Sequence, residues 1–440
     1  MSRRSKTLEK TVVLVSPPLT RRKLEVLGYV YRAYGDILVE SLEYMLSKGT
    51  TSWMKARKEL YKVFRERYRE LPSHYIHEAV RDASQRLKSF LKLKKRGVAK
   101  TDRPVVKKWS VGCDDQLRRL SLSGVEIATH RGWIRIPLHF HKLFWKYWNS
   151  GEWTMRSSAR WRVSRGRLYL YVVFSKTVDP ETATNPTNEN RVGGSGKVYG
   201  IDVNENNVTI YDHQNKRAIT IVTNLSKIVL GYAYRRQRLQ EKWSGLYGVK
   251  GNRRLASSLK KLREKWVKRD VKLKLAKVVA EIVRDGVVVL EKLPKGFQDK
   301  VLERGRLKGI DAHRLKQASI RGIQRAIIEK LEETGTPYVL VDPRGTSSKC
   351  PICNSKLVPV TGSAQRNGWR SRPVKCPVCG FTHDRDVVGA MNIARKYILD
   401  VGGRAVGLPK GAHDHREEWL VATVKRGAEA QPILARPTTT

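Results

Sequence analysis

Residues 346–394 have the sequence TSSKCPICNSKLVPVTGSAQRNGWRSRPVKCPVCGFTHDRDVVGAMNIA. Two Cys-x-x-Cys pairs stand 22 residues apart in it: Cys350, Cys353, Cys376 and Cys379. Each pair forms a turn that presents two thiolates, and four thiolates complete a tetrahedral site for structural zinc. Because the chain has a single further cysteine, Cys113, this spacing favours a metal over disulfides. We predict a zinc ribbon at 346–383 that binds one Zn²⁺, and its basic insert is expected to touch nucleic acid.

The segments before the ribbon predict an α/β layer. From residue 198 the expected order of elements is β-β-β-α-β-α-β, then the cysteine insert, then a helix that begins near Asp384–Asp386. An RNase H-like fold, which is a mixed five-stranded sheet with helices on its faces, has this order. We therefore expect such a layer at 198–345 and 384–400, with the ribbon inserted into it.

Three acidic residues occupy positions in this layer where they could meet. Asp202 lies on the first strand, Glu291 ends the fourth strand, and Asp386 starts the last helix. Carboxylates are the hard ligands that Mg²⁺ prefers, and two Mg²⁺ ions about 4 Å apart can drive phosphodiester hydrolysis. Taken singly, each acid could instead cap a turn, pair with an arginine or cap the helix, and Asp384 competes with Asp386. Together they predict a catalytic site for two Mg²⁺ ions.

The chain outside this layer has other patterns. A strand at 7–16, helical stretches between about 20 and 97, and short strands up to 176 make up the N-terminal half. Residues 179–197 are rich in Pro, Asn, Thr and Gly and predict a linker. The tail at 401–440 shows no strong pattern and is expected to be loosely ordered or disordered.

The basic helical region after the third strand of the layer, 226–285, should bury one apolar stripe. The residues predicted to form it are Leu255, Leu259, Leu262, Trp266, Leu273 and Ala276.

The charge of the chain points to nucleic acid. There are 88 Lys and Arg against 41 Asp and Glu, so the formal net charge is +47. Solubility needs only a few charges, whereas a surplus of this size costs self-repulsion that a polyanion would screen. With 40% hydrophobic residues the chain can still form cores. It has no apolar run of 18 residues and no secretory signal pattern, so we expect a cytoplasmic protein without a membrane partner.

Several motifs resemble those of the TnpB (OrfB) family, whose members are encoded by insertion sequences and are similar to compact type V CRISPR nucleases. These motifs are Gly200-Ile201-Asp202, Leu290-Glu291, Thr346-Ser347-Ser348-Lys349-Cys350-Pro-x-Cys353, Cys376-Pro-x-Cys379-Gly380, Asp384-Arg385-Asp386 and Ala390-x-Asn392-Ile393. The resemblance is specific over 198–400, and before residue 180 only the layout matches. Asn204, Asn354 and Val388 depart from the family pattern.

The resemblance implies an α+β, multidomain fold. In this fold an N-terminal recognition region, 1–178, is a β-barrel-like wedge with an inserted helical bundle, and a RuvC-type, RNase H-like domain with an inserted zinc ribbon follows. It also implies an RNA-guided DNA endonuclease with one RuvC site, where Asp202, Glu291 and Asp386 hold two metal ions. The partners would be a guide RNA from the transposon end and double-stranded target DNA, with a short adjacent motif read by the N-terminal half.

Three other functions fit parts of the sequence. A DDE-type transposase has a similar sheet, but its acidic set usually ends with Glu on the last helix. His139-Phe140-His141 with Tyr147 could belong to a nuclease that holds a metal and attacks DNA covalently, although this tyrosine follows too closely to come from a separate helix. A non-catalytic zinc-ribbon protein would bind nucleic acid independently of Mg²⁺.

Overall fold

The computed structural model describes residues 6–178, 196–247, 252–294, 309–360, 365–366, 369–401 and 418–423. The chain divides into two compact units, Lys6–Thr177 and the part from Val178 onward. Nearly all of the predicted linker, and most of the predicted tail, lie outside the described residues.

Three helices follow the first strand of the N-terminal unit. After β1 (Lys6–Val15) the chain forms α1 (Arg21–Ser47), α2 (Trp53–Arg67) and α3 (His74–Lys95). The side chains of Thr20 and Ser52 accept hydrogen bonds from backbone N–H groups of the first turns, which stabilises the starts of α1 and α2. Apolar residues at three- and four-residue steps then bury one face of each helix. The helices occupy the stretch where the sequence predicts an inserted bundle.

The rest of this unit forms two sheets and a short helix. Its elements are β2 (Val111–Cys113), β3 (Arg118–Ser121), β4 (Gly124–Thr129), β5 (Gly132–Ile136), α4 (Lys142–Trp148), β6 (Thr154–Ser164) and β7 (Arg167–Val178). One sheet has the order β1-β7-β6-β2 and the other the order β3-β4-β5. The β6–β7 hairpin turns at Arg165 and Gly166, both at positive φ, as a two-residue hairpin turn requires.

The region predicted to be a barrel-like wedge contains two separate sheets. A single antiparallel bridge, Val15 to His139, links the end of β1 to the segment after β5. Strand patterns define each hairpin locally, but closure of a barrel depends on pairing between distant strands. A closed barrel is not formed by the hydrogen-bonded strands among residues 6–178.

The second unit contains the predicted α/β layer. Its elements are β8 (Lys197–Val203), β9 (Asn207–Asp212), β10 (Arg217–Val222), α5 (Leu225–Tyr247), α6 (Arg253–Lys261), α7 (Glu264–Ile282), β11 (Gly286–Glu291), α8 (Gly309–Ala318), α9 (Ile320–Thr334), β12 (Tyr338–Val341), β13 (Val358–Pro359), β14 (Gln365–Arg366), β15 (Trp369–Arg370), β16 (Pro373–Lys375), β17 (Thr382–Asp384), α10 (Arg385–Val401) and β18 (Glu418–Thr423).

The main sheet has six strands in the order β12-β11-β8-β9-β10-β18. β8, β11 and β12 are parallel, whereas β9 is antiparallel to both β8 and β10. The five-stranded expectation was one strand short, because β18 pairs in parallel with β10. This strand comes from the tail that we expected to be loosely ordered. A strand of six residues without turn residues on either side gives only a weak signal in the sequence. The open edge of a sheet can nevertheless pair with such a segment.

Helices cover both faces of the sheet. Val287 and Val289 of β11 pack with α10, and the alternating residues Val288 and Leu290 pack with α7 and α9. Because both faces are buried, the strand has a continuous apolar sequence instead of an alternating one. None of the described helices combines the length and apolar character that a bilayer span requires.

The predicted apolar stripe of the basic helices is confirmed at Leu255 and Ala276, which are buried, and is wrong at two positions of α7. Trp266 is 64% and Leu273 51% exposed, whereas Val267, Val271 and Leu275 are buried. The reason is that Leu262 has an extended backbone and separates α6 from α7, so the two helices have independent phases.

The cysteine segment forms a small subdomain between β12 and α10. Its strands β13, β16 and β17 make an antiparallel sheet, and β14 and β15 pair as a short hairpin.

Candidate active site and metal centre

Two of the predicted acids lie on neighbouring parallel strands. Asp202 follows Ile201 on β8, and Ile201 pairs with Leu290, the residue before Glu291 on β11. Helix α10 crosses close above β8, since a Cβ atom on Gly200 would lie 2.0 Å from the carbonyl oxygen of Ala390. Only glycine permits this approach, which brings the start of α10 over the strand that carries Asp202.

The structure separates the roles of Asp384 and Asp386. Asp384 Oδ1 accepts the backbone N–H of Asp386 at 2.8 Å, and its Oδ2 accepts the backbone N–H of Arg372 at 2.7 Å. Asp384 therefore stabilises the start of α10 and ties the ribbon to it. Asp386 instead accepts a hydrogen bond from Asn207 Nδ2 at 2.8 Å and acts electrostatically on Asp202.

The charges of Asp386 and Glu291 act on the buried carboxyl of Asp202. Burial raises the pKa of Asp202 well above its usual range, and the charges of Asp386 and Glu291 raise it further. Asn204 opposes this shift by donating a hydrogen bond of 2.8 Å to Asp202 Oδ2. Burial also raises the pKa of Glu291, which accepts a 2.6 Å hydrogen bond from Thr346 Oγ1. Partly desolvated carboxylates of like charge favour a bound cation.

The arrangement fits hard divalent cations. The donors are carboxylate oxygens, which Mg²⁺ prefers. In the part of the chain described, the cysteines are the one group of three or more potential ligand residues whose ligand atoms all lie within 4.8 Å of one another, so the oxygens of the three acids are spaced more widely than that. Gly389 leaves room beside Asp202, because a Cβ there would lie 3.0 Å from Oδ2.

Replacing Asp202 with Asn should stabilise the protein when divalent cations are removed. A carboxyl whose pKa is raised by folding contributes stability at low pH, and that contribution is lost as the pH rises through the folded pKa. Asparagine carries no charge, so we expect a melting temperature about 2–4 °C above wild type at pH 8 in chelator, as for a change of about 1 kcal/mol in a domain of this size. The difference in melting temperature between the variant and the wild type should become smaller toward pH 4 and when Mg²⁺ is added.

Asp285 provides the matched control for this melting experiment. It lies just before β11, at the end opposite to Glu291, and hydrogen bonds from Lys197 and Tyr199 lower its pKa. Asp285→Asn should therefore lower the melting temperature at pH 8. Equal behaviour of the two variants would contradict the repulsion among the three acids.

Sequence reasoning missed two polar contacts of the acids. Arg372, in the ribbon, donates a hydrogen bond from its guanidinium group to Asp386 Oδ1 and lies near Asp202. The sequence indicates only that this insert is basic. Asn207 at the start of β9 was also missed. Its burial indicates that its side chain needs a polar partner, but that burial is known only from the structure. Val388, by contrast, is fully buried in the core under α10.

The four ribbon cysteines converge as predicted. Cys350 Sγ lies 3.5 Å from Cys379 Sγ, and Cys353 Sγ lies 3.4 Å from Cys376 Sγ. A tetrahedral Zn²⁺ ion with Zn–S bonds of about 2.3 Å would require sulfurs about 3.8 Å apart, so the cluster can hold one zinc ion with small adjustments. Asn354 and Gly380 follow the two pairs at φ of 62° and 76°, which shows that asparagine supplies the positive φ after the first pair.

Two other predicted features lie elsewhere. Cys113 is buried on β2, and burial raises its pKa to about 12, which disfavours a thiolate ligand. His141 Nε2 lies 3.0 Å from the backbone oxygen of Val13, and Tyr147 is 5% exposed with its ring against Trp153. A buried tyrosine cannot reach a DNA phosphate, so the histidine–tyrosine nuclease does not fit this structure.

Known families match two parts of the chain. Residues 321–393 match the Cas12f1-like TNB domain. Residues 30–128 match the family described as uncharacterized protein MJ0013. The first match includes the four cysteines and Asp386.

Two proteins of Methanocaldococcus jannaschii are similar in sequence. The uncharacterized protein MJ0857 is 30% identical over 258 residues, which are 54% of this chain and 89% of that protein. The TnpB-like protein MJ0751 is 26% identical over 291 residues, which are 63% and 91% of the two chains.

A solved structure shares the fold. The Cas12f1 chain in a Cas12f1–sgRNA–target DNA complex has a TM-score of 0.52 at 15% identity, over 85% of this chain and 83% of that one. A likeness at this identity concerns the fold alone.

Proposed function

Because this chain belongs to the TnpB family, we propose that it is an RNA-guided DNA endonuclease encoded by a transposable element. The observation that carries the proposal is that Asp202 and Glu291 lie on neighbouring parallel strands and that the charges of Glu291 and of Asp386, at a helix start, act on the buried Asp202. The proposed site is a single RuvC-type centre that hydrolyses DNA phosphodiester bonds.

The proposed chemistry divides between metal and protein. Two Mg²⁺ ions, when bound, would activate water and stabilise the leaving oxygen. The carboxylates of Asp202, Glu291 and Asp386 would hold them. The amides of Asn204 and Asn207 orient Asp202 and Asp386 through their hydrogen bonds. Asp202, Asn207 and Asp386 lie on secondary-structure elements and Asn204 directly follows β8, which favours a preformed site.

We assign regions of the chain to this function as part of the proposal. Residues 1–178 would recognise nucleic acid, and 198–345 with 384–400 would form the nuclease domain. The ribbon, 346–383, would be structural through one Zn²⁺. Residues 179–197 would join the two halves, and the tail, 401–440, contributes at least β18 to the sheet.

Basic surfaces support nucleic acid as the partner. The N-terminal unit has a cavity of about 650 Å³ between α3 and the four-stranded sheet. Its lining includes five basic side chains, Arg81, Arg86, Lys108, Arg160 and Arg162, three of which form ion pairs with the lining acids Glu78 and Asp82. In the second unit, residues 227–277 contain 17 Lys and Arg against three acidic residues. Phosphate backbones bind to such surfaces with little dependence on sequence, so base pairing with a guide RNA would supply the specificity.

The test of this function is guide-programmed cleavage. We expect the purified protein to carry RNA, and after removal of that RNA it should cut double-stranded DNA only with a supplied guide that matches the target beside a suitable motif. Changing the guide should move the cut. Binding should weaken by about 10³–10⁵-fold between 50 and 200 mM salt if six to ten phosphates are contacted.

Other outcomes would identify the competing functions. Cleavage or strand joining without RNA would indicate a DNA-only nuclease or a DDE-type transposase. Tight binding of nucleic acid without any cleavage, with or without Mg²⁺, would indicate a non-catalytic zinc-ribbon protein.

A further inference from the structure

The first residue of the zinc ribbon contacts one of the three acids directly. Thr346 is 2% exposed, and its Oγ1 lies 2.6 Å from Glu291 Oε1 and 2.9 Å from the backbone oxygen of Pro343. A hydroxyl has one proton to donate. An ionised carboxylate is the stronger acceptor, and hydrogen bonds to it are shorter, so the proton belongs to the Glu291 bond.

The backbone of Thr346 is in turn attached to helix α10. Asn392, which is 7% exposed, donates both amide protons to the ribbon, to Thr346 O at 2.7 Å and to Lys349 O at 2.8 Å. The same helix begins with Asp386. Asn392 therefore links the start of the ribbon, at Thr346, to the helix that carries Asp386.

The attached segment continues into the first cysteine turn. Lys349 precedes Cys350 and forms a bridge with Lys356, and Leu357 N donates to Ser348 O at 2.9 Å. Cys350 N donates to Ser355 O at 2.8 Å. These bonds make residues 346–357 one hydrogen-bonded unit that contains a pair of zinc ligands, Cys350 and Cys353. If the turn at Cys350 and Cys353 became disordered, Thr346 would be displaced.

We propose that Thr346 is a positioning residue, which orients the Glu291 carboxylate for its cation and makes the cation affinity of the acidic site depend on zinc in the ribbon. This inference rests on the proposed function, because it assigns Glu291 to a metal site. Groups that hydrogen-bond to a metal-binding carboxylate typically contribute about 10–100-fold to metal affinity or activity. Among the residues that the structure describes, the hydroxyl of Thr346 has one other hydrogen-bond partner, the backbone oxygen of Pro343.

The experiment compares Thr346→Val, which keeps the shape and removes the hydroxyl, with Thr346→Ser, which keeps the hydroxyl. For Thr346→Val we expect the Mg²⁺ concentration for half-maximal cleavage to rise about 10–100-fold, with the rate at saturating Mg²⁺ changed much less. Thr346→Ser should stay close to wild type. Thr382→Val is the matched control in the ribbon, because its hydroxyl donates to Gly380 O.

A second measurement does not depend on cleavage. Mn²⁺ binding to the full-length protein, followed by electron paramagnetic resonance with Glu291→Gln as the blank, should weaken in Thr346→Val and not in Thr382→Val. An unchanged cation dependence in Thr346→Val, or equal impairment of Thr346→Ser, would overturn the positioning role. Failure of the wild-type protein to cut DNA under RNA guidance would reject the proposed function, while Mn²⁺ binding would still decide the role of Thr346.

The dependence on zinc is tested by a double-mutant cycle. If zinc maintains the position of Thr346, then Thr346→Val should weaken Mn²⁺ binding much less in a Cys376→Ser background than in the wild type. Additive effects of the two substitutions would show that the ribbon acts independently of Thr346 and would remove zinc from the proposal.

Discussion

Glu291→Gln is expected to abolish guided DNA cleavage while leaving nucleic-acid binding intact. Glu291 ends a buried strand next to the strand of Asp202, and its charge, together with that of Asp386, raises the pKa of the buried Asp202. Bound metal ions stabilise the charge that develops in the transition state of phosphodiester hydrolysis by several kcal/mol. Losing about 4 kcal/mol of this stabilisation lowers the rate about 1,000-fold. Asp202→Asn and Asp386→Asn should have effects of the same size, measured as single-turnover cleavage in Mg²⁺.

The controls for this result use acids that lie outside the cluster. Asp285 stands at the opposite end of the same strand, so Asp285→Asn should cut at nearly the wild-type rate. Asp384 caps α10 through backbone N–H groups, so Asp384→Asn should lower stability more than the cleavage rate at permissive temperature. A Glu291→Gln protein that cuts within tenfold of wild type would exclude Glu291 from the site. An inactive Asp384→Asn protein beside an active Asp386→Asn protein would exchange the roles of those two residues.

Cys376→Ser is expected to lose the zinc ion and the order of the ribbon. Structural zinc binding to four thiolates contributes about 10–16 kcal/mol at neutral pH in small zinc domains, so its loss exceeds what the short strands of the ribbon can replace. Hydrogen bonds from the backbone of Cys379 and from Ser355 lower the pKa of Cys376 to about 6, which favours the thiolate that zinc binds. Metal analysis should find one zinc ion per wild-type chain and less in the variant, and protease should cut the variant within 346–383.

Cys113→Ala is the matched control for zinc, because Cys113 is buried on β2 and burial raises its pKa to about 12, which disfavours the thiolate form. It should keep one zinc ion per chain. An unchanged zinc content in Cys376→Ser would rule out the four-thiolate site. Restoring Mg²⁺ after treatment with a chelator should rescue a protein that lost only Mg²⁺, but should not rescue one that also lost zinc.

The sequence was most informative where the chemistry is local. The Cys-x-x-Cys spacing predicts a common ion because two residues of one turn necessarily approach each other. The ends of buried strands and the start of a helix predicted where Asp202, Glu291 and Asp386 lie. The prediction of the buried face of α7 was wrong for an equally local reason. Leu262 interrupts the helical stretch, and apolar residues such as Trp266 and Val267 are adjacent, so the sequence does not show which of them is buried.

The sequence alone therefore predicted the α/β layer, the four-cysteine ribbon and the three candidate acids. The tertiary structure alone decided which residues support those acids. Thr346 and Glu291 are 55 positions apart, and Asn207 and Asp386 are 179 apart, so no periodicity or spacing connects them. It also decided that Asp384 caps the helix while Asp386 joins the cluster, and that β18 completes the sheet. The physical reason is that hydrogen-bond partners and strand neighbours are selected by the packing of the whole chain, whereas turns, helices and strands are encoded within a few residues.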